Sequence, residues 1–136
     1  MIEKEVAEIL QNPDPSGRRL NNLVDEFRRG RDVCELLDLL DSDNDENISI
    51  GTWILAEIHH ELYRNKKIMG RLLKLSRHQN AQVRFNTFSA LYPTLSLHHD
   101  ECRKFLECML RDPNCVIRSR AERALQLLCH NESDIV

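Results

Sequence analysis

The feature that most constrains this chain is a recurrence at 34 residues. Val83-Arg84 precedes Ile117-Arg118 by that distance, and Ala90-Leu91 precedes Ala124-Leu125 by the same. A weaker copy starts at Ile50, 33 residues before Val83, with Ile54 and Ile58 on the matching face. In the last copy Ile117, Ala121, Ala124, Leu125 and Leu128 fall at i, i+4, i+7, i+8 and i+11, one apolar stripe of a helix. The two alanines leave room for another helix to approach closely. Asp112 is placed to cap this helix, and Pro113 suits its first position, where the missing N–H would have no intrahelical partner. A helical pair of this size cannot bury its own apolar face. A fixed period in this range therefore predicts stacked pairs sharing one continuous core.

In chain order the sequence predicts four pairs. Ile2 to Leu10 carries Ile2, Val6, Ile9 and Leu10 on one side, and Asn12-Pro13-Asp14-Pro15 breaks it, since a proline disfavours helix in the residue before it. Ser16 is the expected N-cap of a second helix with Leu20, Leu23, Val24 and Phe27, ended by Gly30. This pair, residues 1–30, departs from the repeat and reads as an atypical terminal cap. A helix from Asp32 to Leu40 follows, then an acidic turn and a helix from Ser49 to about Tyr63. Lys66 to Arg77 carries Ile68, Leu72, Leu73 and Leu75. The turn from His78 to Gln82 opens a helix ending near Pro93. His99 to Arg111 carries Phe105, Leu106, Met109 and Leu110 and leads into the last copy. Residues 131–136 read as a frayed tail. Short connections imply antiparallel neighbours within one domain spanning residues 1–136.

The run Asp112-Pro113…Ile117-Arg118…Ala121…Ala124-Leu125 resembles the second helix of a HEAT repeat, of the short kind found in bacterial HEAT-like proteins. Asn80…Val83-Arg84…Ala90-Leu91 matches in part, with Thr87 where that family favours Ala. The copy at Ile50 has Gly51 in place of Arg. The resemblance covers residues 31 to 130 and implies a small all-α solenoid of about four antiparallel helical pairs. It also implies that Arg84 and Arg118 are structural, each bonding an acidic residue in a neighbouring turn, with Asp112 at the matching acidic position.

Composition agrees with this class: 41% hydrophobic, 30% charged, only 5% aromatic, and few glycines or prolines. No apolar run is long enough to span a membrane, and Met1-Ile2-Glu3-Lys4-Glu5 lacks the basic and apolar regions of a secretory signal, so a cytoplasmic location is expected.

Several stretches invite a chemical reading. Asp41-Ser42-Asp43-Asn44-Asp45-Glu46-Asn47-Ile48-Ser49 supplies carboxylates at positions 1, 3 and 5 of a calcium-loop pattern. Glu46 replaces the turn glycine at position 6, however, and Thr52 replaces the bidentate glutamate at position 12. The expected role of Asp41, Asp43, Asp45 and Glu46 is a solvated turn or an acidic patch for a basic partner. Cys34, Cys102, Cys108, Cys115 and Cys129 form no CxxC pair and read as reduced thiols, mostly buried. His59-His60-Glu61 lacks the i, i+4 spacing of helical metal ligands. No phosphate loop, nucleophile elbow or triad is found, so neither metal, cofactor nor catalysis is expected.

Charge is the main functional clue. Residues 1–63 hold 15 acidic and 6 basic residues (net −9), and residues 64–136 hold 7 acidic and 13 basic (net +6). Such polarity favours electrostatic steering of a charged partner. In solenoids of the resembled family the second helices line the concave side. Aligning them places Trp53, Asn86 and Arg120 in one row and Ala56, Ser89 and Arg123 in the next, with Tyr92 and His60 nearby. The expected activity is non-enzymatic protein binding at Trp53, His60, Asn86, Ser89, Tyr92, Arg120 and Arg123 together with the acidic turn. The resemblance suggests in particular a bacterial immunity or antitoxin-type inhibitor that occludes a basic toxin or nuclease. A general adaptor is one alternative. Another is nucleic-acid binding through Arg120, Arg123, Lys66 and Lys67, as in HEAT-like DNA glycosylases, which the scarcity of base-stacking aromatics disfavours.

Overall fold

A computed structural model describes residues 1–12, 14–58, 65–94 and 100–135, with residues 94, 101 and 130–135 described by backbone alone. The described residues are all-helical. The elements are α1 (Ile2–Gln11), α2 (Arg18–Arg28), a 3₁₀ turn (Val33–Leu36) running into α3 (Leu37–Leu40), α4 (Asp45–Ile58), α5 (Lys66–Leu75), α6 (Ala81–Leu91) with a 3₁₀ turn (Tyr92–Thr94), α7 (Asp100–Leu110) and α8 (Cys115–Ile135). Among the described residues no helix is long and apolar enough to cross a membrane.

The contacts alternate. α3 packs on α4, α5 on α6 and α7 on α8, while α2, α4, α6 and α8 touch in succession, as do α1, α3 and α5. α4 and α6 share the most extensive contact, which explains why each is buried around much of its circumference. One apolar core joins Ile2 and Val6 of α1 to Ile117, Ala121 and Ala124 of α8.

Asparagine side chains start four helices. Asn44 accepts from the N–H groups of Glu46 and Asn47, Asn65 from Ile68, Asn80 from Val83, and Asn114 from Val116 and Ile117. Each satisfies donors that the first helical turn leaves unpaired. Asp112 is therefore not the cap of α8; Asn114 is. Two residues before the caps of α4, α6 and α8 a second acceptor takes the asparagine's own N–H: Ser42 Oγ at 3.1 Å, His78 Nδ1 at 3.0 Å and Asp112 Oδ1 at 2.8 Å. Ser16 also does not cap. Its N–H and hydroxyl both donate to Asp14, and α2 starts after Gly17, whose φ of 68° suits glycine. Gly30, at φ 114°, does end α2. α4 begins at Asp45 rather than Ser49, because Asn44 captures the acidic residues into the first turn. α8 continues helically to Ile135, past the point where fraying was expected, since no glycine or proline intervenes.

The caps also correct the register. Asn44 to Asn80 spans 36 residues and Asn80 to Asn114 spans 34, so the α4 copy was aligned one helical turn out of place. Gly51, Thr87 and Ala121 stand seven residues after their caps and are all buried. Ile54, Ala90 and Ala124 stand ten after, all at or below 1% exposure. The apolar stripe repeats every three to four residues, so hydrophobicity alone does not distinguish registers one turn apart. Gly51 thus replaces no arginine; Ile48 holds that place. Gly51 marks the closest approach of α3, because a Cβ there would lie 3.0 Å from Leu39 Cβ and 3.1 Å from Leu40 Cδ2.

Arg84 ties two turns together. Its Nη1 donates to His78 O (2.8 Å) and Gln79 O (2.9 Å), while Nε and Nη2 donate to Asp112 at 2.8 and 3.1 Å. Both side chains are largely out of water, 11% and 3% exposed. Arg118 binds the next turn through Asp112 O (2.8 Å) and Pro113 O (3.0 Å). The structural reading of Arg84 holds, with Asp112 its acidic partner, whereas Arg118 bonds backbone carbonyls of its own turn and meets no carboxylate among the described residues. The cysteines differ from expectation: Cys34, Cys115 and Cys129 are exposed and Cys102 and Cys108 half-buried, because they fall beside the apolar stripes rather than on them.

Two outcomes follow for stability. Gly51→Ala gains helix propensity of up to about 1 kcal/mol but forces α3 away, so a net loss of about 1–2 kcal/mol is expected in urea denaturation. Asp112→Ala strands the Arg84 guanidinium and is expected to cost about 3 kcal/mol, whereas the Arg84→Met, Asp112→Leu double variant recovers most of that loss. A double variant as unstable as Asp112→Ala would show that the pair does not couple.

Candidate functional site

α6 and α8 enclose an open groove of about 640 Å³ whose wall includes Ala56 of α4. Phe88, Ser89, Tyr92 and Pro93 line it from α6 and its 3₁₀ extension, and Ser119, Arg120, Arg123, Ala124 and Leu127 from α8. Arg120, Arg123, Ala124 and Leu127 fall at i, i+3, i+4 and i+7, so one face of α8 forms this wall. Tyr92 and Leu127, 41% and 45% exposed, put apolar surface against water. Tyr92 is held by Phe88, ring centroids 6.0 Å apart, and Phe88 is stacked on Phe105 of α7 at the same distance. The Arg120 guanidinium lies 4.9 Å over the Phe85 ring, a cation–π contact that positions it without consuming its donors. Among the described residues no carboxylate pairs with Arg120 or Arg123. The groove therefore offers two guanidiniums beside an aromatic and an aliphatic surface.

Four of the expected contact residues, Ser89, Tyr92, Arg120 and Arg123, meet here. Asn86 does not. It is 6% exposed and spent internally, donating to Ser49 O at 3.0 Å and accepting from Gln82 Nε2 at 2.9 Å. In the corrected register Ile50, Asn86 and Arg120 share one level, and Trp53, Ser89 and Arg123 the next. Trp53 is half-buried against the core and does not line the groove. His60 lies outside the described residues. Phe88, Pro93 and Leu127 were not anticipated. The i, i+4, i+7 spacing from Arg120 would have found Leu127, but nothing in the sequence shows Phe88 turning towards α8.

The acidic turn is a separate surface at the N-terminal end of α4. Asp41 accepts from Arg71 Nε at 2.6 Å, and Asp45 lies 3.6 Å from His78 Nε2. Asp43 and Glu46 are exposed and unpaired among the described residues. A calcium loop is not formed: Asp45 and Glu46 belong to the helix, and the Thr52 hydroxyl is buried and donates to Ile48 O and Ser49 O at 3.0 Å. Among the described residues no three His, Cys, Asp or Glu side chains gather as a metal site. Lys66 and Lys67, at the start of α5, do not line the groove.

Much of the remaining acidic charge is used within the fold. Arg31, 17% exposed, donates to Glu5 at 2.6 Å, Glu26 at 3.2 Å and Glu35 at 3.0 Å, and its guanidinium sits 5.1 Å over Phe27. The Arg31 bond, set against a smaller desolvation effect, holds the Glu35 carboxyl below the usual glutamate range, and the carboxylates raise Arg31 in turn.

No protein-family model, curated protein or solved structure matches this chain.

Because Glu35 titrates lower folded than unfolded, its contribution is present above the ordinary glutamate range and lost as pH falls through its folded value. Arg31→Met is expected to lower Tm by a few degrees at neutral pH, with the two melting curves converging as pH drops below that range. A difference independent of pH would remove the ion pairs as its cause.

Proposed function

We propose that this chain is a short HEAT-like α-solenoid that acts without catalysis, as a protein-binding module, through the groove between α6 and α8. The alternation of helix contacts and the Arg84–Asp112 link between successive turns support the solenoid reading. The observation that carries the binding reading is the convergence of exposed Tyr92 and Leu127 with two guanidiniums that lack carboxylate partners among the described residues. Aromatic and arginine side chains around a concave surface are the groups that dominate binding energy at interfaces. Their charge suits an acidic segment carrying an apolar anchor: the carboxylates take Arg120 and Arg123, and the anchor covers Tyr92 and Leu127.

A second reading is retained for the other face. An inhibitor that occludes a cationic toxin or nuclease would use Asp43 and Glu46, which are exposed beside Asp41, itself paired with Arg71.

Affinity capture from the native host separates these readings. Partners held through the groove are expected to be lost with Arg120→Ala, Arg123→Ala and retained with Asp43→Asn, Glu46→Gln; the toxin-occlusion reading expects the reverse. Each arginine truncation is expected to weaken binding by about 1–2 kcal/mol, roughly tenfold. Retention unaffected by either pair would remove both surfaces from consideration. Steeply salt-dependent binding of duplex DNA, abolished by the arginine variants, would replace the protein reading with a nucleic-acid one.

A further inference from the structure

Two clefts that share no lining residue with the α6–α8 groove meet along α7. One, of about 620 Å³, lies between the α5–α6 turn, α7 and the α7–α8 turn. The other, of about 370 Å³, lies between the end of α5 and α7. Ser76, Arg77, Lys104 and Cys108 line both, which makes them one continuous recessed surface. Lys74, Arg77, Lys104 and Arg111 are exposed along it. Among the described residues none of these four is in an ion pair. Two carboxylates also line the surface. Asp112 is spent, both oxygens accepting from Arg84, so Glu107 alone opposes the exposed cations.

The repeat places these charges. Arg77 and Arg111 stand three residues before the caps Asn80 and Asn114, and the N–H of each closes the end of the preceding helix, on Lys74 O at 3.2 Å and Cys108 O at 3.1 Å. They are equivalent positions on successive turns, about 10 Å apart at the spacing of packed helices. A helix C-terminus favours a cation on its own account, which explains each of them singly. It does not explain Lys104, in the middle of α7 and two helical turns, about 10 Å, before Arg111. The matching place on the α3–α4 turn holds Asp41, so the row of cations begins at the α5–α6 turn.

What this surface lacks narrows its occupant. The large apolar side chains exposed among the described residues are Met1, Tyr92, Val116 and Leu127, and none lines either cleft. A protein partner draws most of its affinity from aromatic and aliphatic anchors, and a single nucleic-acid strand from bases stacked on aromatics. Neither finds such a group here. A flat lipid surface does not enter a recess. The backbone of a duplex is a narrow, densely charged ridge that needs only cations, and their binding to it is driven by counterion release whatever the base sequence. We propose that this surface binds the phosphate backbone of a nucleic-acid duplex without reading its sequence, with Arg77 and Lys104 at the centre of the contact and Lys74 and Arg111 at its ends. The contact uses no residue of the groove and does not rest on the protein-binding reading.

Fluorescence anisotropy of a labelled DNA duplex of mixed sequence, titrated with the full chain over a salt series, tests it. Binding is expected at low salt, with log K falling against log salt at a slope of about −3.6 if four phosphates are neutralised, and equally for an unrelated sequence. Lys104→Gln and Arg111→Gln, both at exposed positions, are each expected to make the slope shallower by about 1 and to weaken binding several-fold with circular dichroism melting unchanged. Glu107→Gln is expected to tighten binding, which a damaged fold would not do. Arg120→Ala, Arg123→Ala is expected to leave duplex binding unchanged, so failure here and failure of the groove reading are distinct results. Absence of binding at low salt, binding unaltered by the Lys104 and Arg111 variants, or tighter binding of the isolated single strand overturns the proposal. So does equal competition by polyglutamate or by phosphatidylserine vesicles at the same charge concentration, which would assign the surface to an acidic protein or to a membrane.

Discussion

A guanidinium removed from water must have nearly all its donors used, and Arg84 meets that demand by spanning two turns at once. Three of its nitrogens reach two backbone carbonyls of its own turn and both oxygens of Asp112. Desolvating such a pair is costly unless every bond is made, so it tolerates little sliding between α6 and the α7–α8 turn. The apolar stripes are more permissive, because a shift of one helical turn again places hydrophobic residues face to face. Apolar burial supplies most of the driving force here, and the polar bonds at the turns select the register.

That register builds the groove. It sets Tyr92 beside the face of α8 that carries Arg120, Arg123 and Leu127, and it turns Asn86 inward to Ser49. Phe85 and Phe88 divide the work of positioning, one beneath the Arg120 guanidinium and the other behind Tyr92. Side chains fixed in this way lose less freedom on binding than solvated ones, which is how a small helical array presents a usable surface.

Opposite charges in the two halves of the chain have unequal fates. Arg31 and Arg71 absorb part of the acidic excess, leaving Asp43 and Glu46 as its free representatives on the α3–α4 turn. The arginines of the groove have no carboxylate partners among the described residues. Net charge along the sequence is therefore a poor map of available charge on the surface, since pairing depends on which turns and helices meet.

Helix content, the approximate limits of most helices and the core positions of α6 and α8 were legible in the sequence because they depend on local chemistry: stripe spacing, glycine at the end of α2, proline in the breaks. Four of the groove residues were also within reach, since even helices neighbouring one another follow from the repeat. The true offset of α4, the exchange of capping roles between Asp112 and Asn114, the exposure of the cysteines and the inward turn of Asn86 were decided only in three dimensions. Each depends on which of several equivalent local hydrogen bonds or stripe registers is compatible with a neighbouring helix, and that compatibility is a property of the packed chain.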